Sequence, residues 1–170
     1  MEKKHKEITE YSLQAEWEQT TGSETVYHSF LAVMLAYADA LSLLYPGVYP
    51  KEESPAQKIE KALRPFLMFE KRMPENGETM RFYRIDGLKN AFDLSDVLET
   101  AKSMWDWELP VFPGDLSFYK KGYTLFRSSA KNRVCRLYPD AAEGFLSPND
   151  MASIGITMKA VGKIRLSEVL

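Results

Sequence analysis

Residues 24–45, ETVYHSFLAVMLAYADALSLLY, form the longest apolar run in the chain, and how they are read decides the fold. Glu24 and Asp39 are the only acidic or basic residues in it. Val26, Phe30, Val33, Tyr37, Leu41 and Leu44 recur at steps of three and four, and Leu31, Met34, Leu35 and Ala38 widen that face. This spacing predicts one long helix. Thr21 with Glu24 fits a capping box, with Ser23 as a rival cap, and Pro46-Gly47 stops the helix. The run approaches the roughly 20 apolar residues that cross a bilayer. His28, Asp39 and Ser42 nevertheless fall near one line of the helical wheel, and a polar stripe with a mid-run Asp argues for a core helix instead of a span.

Around that helix the chain reads as shorter elements. Residues 5–20 are Glu-rich and are expected to be helical. Ser54-Pro55-Ala56-Gln57 is a clean helix start: Ser as cap, Pro at the first position, Gln three residues after the cap. Segments 66–73 and 78–85 read as two strands around Pro74-Glu75-Asn76-Gly77. Residues 94–105 read as a second amphipathic helix. Segments 115–119, 123–129 and 134–138 read as a three-stranded meander. The expected fold class is α+β: a single domain over 1–170, with a central buried helix, antiparallel hairpin and meander strands, and flanking helices. Residues 140–170 read either as part of that domain or as a small appended helical segment.

Composition narrows the function classes. The chain has 170 residues, net charge −2 and one cysteine, Cys135. One cysteine allows no internal disulfide, and the charged start MEKKHKEITEY has no apolar signal core, so the expected compartment is cytoplasmic. Each catalytic pattern lacks a partner. Cys135 has only His5 and His28 as conceivable bases, and its position mid-strand predicts a buried, inert thiol. One Cys and two His do not make a structural zinc site. His28 and Asp39 would stand about 16 Å apart along a helix, too far to share a metal. The glycines form no phosphate loop. No cofactor and no metal are expected.

Charge is unevenly spread. Residues 119–136 hold Lys120, Lys121, Arg127, Lys131, Arg133 and Arg136 and no acid; the rest of the chain carries 16 bases against 24 acids. With Tyr123 nearby, this meander offers charge for phosphates and a ring for stacking. The bland reading is a solvated face with lysines guarding strand edges. If 123–129 and 134–138 pair through the Ala130–Arg133 turn, positions summing to 263 stand opposite, so Arg127 faces Arg136. Like charges so placed are destabilising unless an acid or a bound anion lies between them. Trp107 and Phe112 in MWDWELPVF are candidate interface anchors. The C-terminal SIGITMKAVGKIRL resembles the second half of a helix-turn-helix. The favoured reading is a short helix started at Ser147-Pro148, then a terminal strand in which Ile156, Met158 and Ala160 alternate.

The expected function is a non-catalytic binding or regulatory protein that meets a protein partner or its own copy. The alternatives are a nucleic-acid-binding regulator, using the meander or the C-terminus, and a small enzyme using carboxylates that the sequence does not pair. No membrane partner is expected.

Overall fold

The computed structural model describes residues 6–17, 23–50 and 52–166. His5 and the Thr21–Glu24 cap, with its rival Ser23, lie outside the described residues or side chains. The chain order is β1 (Lys6–Gln14), α1 (Ser23–Tyr37), β2 (Ala40–Tyr45), α2 (Pro55–Leu63), β3 (Leu67–Arg72), β4 (Thr79–Arg84), α3 (Leu88–Leu98), β5 (Gly114–Lys120), β6 (Tyr123–Ser129), β7 (Val134–Leu137), α4 (Pro148–Ser153) and β8 (Thr157–Leu166). The eight strands make one sheet in the order β3-β4-β2-β5-β6-β7-β1-β8, and every neighbouring pair is antiparallel.

This corrects the expected architecture. The organising element is a sheet, and the four short helices are peripheral to it. The decisive stretch is not one helix. It is helical only to Tyr37, turns at Ala38-Asp39, and continues as β2 between β4 and β5. Steps of three and four through Leu41 and Leu44 mimicked a helix, but Leu41-Ser42-Leu43-Leu44-Tyr45 is satisfied better between two strands. Leu41, Leu43 and Tyr45 point into the main core, while Ala40 and Ser42 point to the opposite face. Residues 5–20, expected to be a helix, contain β1 instead. Helix α3 begins six residues before the expected start and ends at Leu98, where the Glu99 N–H bonds back to Ser95.

The local signals that the sequence carries do appear. Ser54 caps α2 reciprocally with Gln57, and Ser147 caps α4 with Asp150. Strands β3 and β4 pair around a turn in which Gly77 takes φ 71°, a backbone conformation open to glycine. Strands β5–β7 form the expected meander. After α4 the chain runs as β8 against β1, so the C-terminal helix-turn-helix gives way to the alternating strand.

The core lies between one face of the sheet and the helix layer. Phe30, Leu31 and Met34 of α1, Ile59 and Leu63 of α2, Leu94 and Leu98 of α3, and Met151 of α4 share it with Leu41, Leu116, Phe126 and Leu137 of the strands. Phe30 meets Phe126 edge-on at 4.8 Å between ring centroids. A smaller cluster of Ala40, Phe82 and Tyr119 sits on the other face. A bulge between β5 and β6 breaks the expected alternation, and Leu125 and Phe126 both join the main core. Leu41→Ala should destabilise the protein by about 2–5 kcal/mol in chemical denaturation, because β2 is enclosed on both edges and the cavity cannot collapse. A loss below about 1 kcal/mol would place β2 outside the core.

Candidate functional site

The meander is built as its spacing requires, and Arg127 stands opposite Arg136. An acid does lie between the strands and their neighbour: Glu10 of β1. The Arg127 Nε donates to the Tyr138 hydroxyl at 2.8 Å, that hydroxyl donates to Glu10 Oε2 at 2.6 Å, and the Arg127 guanidinium lies 3.6 Å from the same carboxylate. Arg136 donates to the Ser12 hydroxyl on β1 at 3.2 Å. Both arginines therefore reach β1. That matters because β1 meets β7 in only two residue pairs, Tyr11↔Leu137 and Ser12↔Arg136. The pair acts as a clasp that fastens β1 to the meander.

The other basic residues do not gather round it. Lys120 and Lys121 lie at the β5–β6 turn, and Lys131 and Arg133 at the β6–β7 turn. Seven residues of β6 separate the two turns, about 20 Å at the rise of a strand. Arg133 lies over the Trp105 ring at 5.4 Å. Tyr123 is half-buried against the core. The structure thus divides the basic run into two turns and one clasp.

Trp107 is fully buried. Its Nε1 donates to the Tyr27 hydroxyl at 2.8 Å, which donates to the Leu98 carbonyl at 2.9 Å. Phe112 packs edge-on against it at 5.9 Å. Together they join α1, the end of α3 and the segment entering β5, so their place is structural. Cys135 is also buried, and burial pushes its thiol up to about 12, which keeps it protonated and unreactive.

Two surface features escaped the sequence reading. The first is a cleft of about 490 Å³ at the sheet end, lined by Glu78, Glu108, Asp115 and Lys131 among others. Asp115 sits at φ 53°, and burial, reinforced by Glu78, raises its carboxyl above the usual carboxylate range. His28 does not line this cleft, so the acids and the histidine do not converge. Among the described residues no group of three or more His, Cys, Asp or Glu is placed to hold a metal, and no helix is long and apolar enough to cross a membrane.

The second is an apolar groove of about 390 Å³ between α1 and α3. Ala32, Leu35 and Ala36 form one wall, and Gly87, Ala91, Phe92 and Ser95 the other. The sequence signal was present: Gly87, Ala91 and Ser95 recur every four residues, and Ala32 and Ala36 share that spacing. Small side chains on both helices leave a valley at their junction. Phe92 rises at its edge, 81% exposed. No protein-family model matches this chain, and no curated protein or solved structure matches it either.

Two outcomes are expected. Replacing Arg127 and Arg136 together with Gln should lower stability by roughly 1–3 kcal/mol, by freeing β1 and leaving Glu10 without its cation, while retention on heparin stays unchanged. Asp115→Asn should raise stability at neutral pH. The folded carboxyl holds its proton more tightly than the unfolded one, so native stability falls as pH rises from the unfolded value through the folded one. The advantage of Asn, which tolerates the same backbone angle, should vanish in thermal melts at acid pH.

Proposed function

We propose that this protein is a non-catalytic, cytoplasmic binding module whose working surface is the α1–α3 groove, and that its occupant is a cationic amphipathic helix of a protein partner. The observation that carries this reading is Phe92. It is the one aromatic among the large side chains left exposed in the described residues. Leaving a phenyl ring in water forgoes about 1.5–3 kcal/mol of burial. Beside it is a valley floored by small residues, the shape that receives the ridge of a third helix.

Charge selects the occupant. Asp86, Asp93 and Asp96 are exposed around the start and outer side of α3. With Glu99, and set against Lys89, they give residues 86–99 a net charge of −3. Such a rim repels nucleic-acid phosphates and anionic lipid and steers a basic segment inward. The lone buried thiol supports a reducing compartment. The nucleic-acid reading is weaker, because its basic residues are split between two distant turns and the β1 clasp, and its C-terminal helices are a strand.

A synthetic amphipathic peptide of Leu and Lys, titrated by calorimetry, should bind the protein. Phe92→Ser should weaken that binding by about tenfold or more while leaving stability within about 0.5 kcal/mol, since the ring is already in water. Unchanged peptide affinity in the variant would overturn the assignment of this surface. A concentration-dependent dimer in sedimentation, abolished by the same substitution, would overturn the choice of occupant and place a second copy of the chain there.

A further inference from the structure

A second cleft lies where the loop after β2 approaches the β3–β4 hairpin. Pro46, Gly47 and Tyr49 from the loop, and Glu70, Arg72, Gly77, Thr79 and Arg81 from the hairpin, enclose a cleft of about 400 Å³. That volume suits a small molecule. The two walls touch through glycine: a Cβ on Gly47 would come within 2.9 Å of the Gly77 carbonyl oxygen. The cleft therefore has a backbone hinge-point that no larger residue fits.

Strand register places its chemistry. Glu70 stands opposite Arg81, and Arg72 opposite Thr79. All four share one face of β3–β4, so the two guanidinium groups are diagonal neighbours, roughly 7–8 Å apart at their bases. Arg81 is held in position from two sides. Its Nε donates to Glu70 Oε2 at 2.9 Å, and its guanidinium lies 4.9 Å from the Tyr45 ring centroid. Arg72 is exposed and has no acidic partner among the described residues. The Tyr49 hydroxyl is shut off from water and faces the Arg81 guanidinium. A fixed arginine, an arginine without an acidic partner and a threonine hydroxyl on one face are the donors that a dianionic oxyanion takes.

We propose that this cleft binds the phosphate group of a small phosphate monoester. Arg72 supplies the charge and the fork that engage the phosphate, Thr79 donates from the opposite strand, and Arg81, its charge offset by Glu70, contributes fixed N–H donors. The Tyr49 ring flanks the body of the molecule. Glu70 limits the site to one anionic group, because it already neutralises Arg81.

Amide NMR spectra of the full chain, titrated with phenyl phosphate at constant ionic strength, test this. Saturable shifts are expected at residues 47–49, 70–72 and 77–81. Arg72→Gln should weaken binding by about tenfold or more, and Arg72→Lys should recover part of it. The remaining amides should not move in either variant, which shows that the fold is intact. Thr79→Val should weaken binding without loss of stability. Benzoate should bind less tightly than phenyl phosphate. Non-saturating shifts, shifts scattered over the surface, or an unchanged affinity in Arg72→Gln would overturn the site. Benzoate binding as tight as phenyl phosphate would overturn the phosphate assignment.

Discussion

The sheet depends on how one residue, Asp39, is held at the point where α1 becomes β2. Its N–H donates to the Tyr119 carbonyl at 2.9 Å, and its own carbonyl accepts from the Ile85 N–H at 2.9 Å. Its carboxylate accepts from the Lys121 N–H at 2.9 Å, fixing a non-glycine residue at φ 49° in the β5–β6 turn. One side chain and the two peptide groups that flank it thus tie the ends of β4, β2 and β5 together. Continuing the helix past Tyr37 would break all three bonds. Leucine's mild helical preference, worth tenths of a kcal/mol per residue, does not outweigh them.

That junction explains what was legible in the sequence and what was not. Signals that act over a few residues were readable: the Ser54–Gln57 cap, the Ser147-Pro148 helix start, the β3–β4 hairpin, and a meander register correct to the residue at Arg127 and Arg136. Misreadings came where distant pairing decides the conformation. Asp39 looked like a polar spot on a helix because its partners lie about 45 and 80 residues further on. β1 looked like a poor helix because its partners are β7 and β8, more than 120 residues away. Trp107 looked like an exposed anchor because the hydroxyl that receives its N–H belongs to Tyr27.

The surfaces follow from the same asymmetry. All four helices lie on one face of the sheet, so their outer sides carry the apolar groove, and the loops at the strand ends carry the clefts. Charged residues picked out in the sequence as candidate binders also make contacts within the sheet. Arg127 and Arg136 secure the narrow β1–β7 junction, where the ladder alone is short. Small, uncharged positions such as Ala32, Ala36 and Ala91 shape the α1–α3 groove.

The pairing of β1 with β8 bears on the order in which the chain can fold. Lys6 meets Leu166 and Gln14 meets Thr157, so the earliest strand is completed by the latest. A nascent chain on the ribosome can assemble β2 to β7, whose neighbours are mostly close in sequence. Until residues 157–166 have emerged, β1 has only its short contact with β7, and one side of it stays an open template for other strands. Closing so long a loop makes the last pairing slow relative to the hairpins. Between translating β7 and β8, the meander side of β1 is engaged while its other edge stays open to other chains.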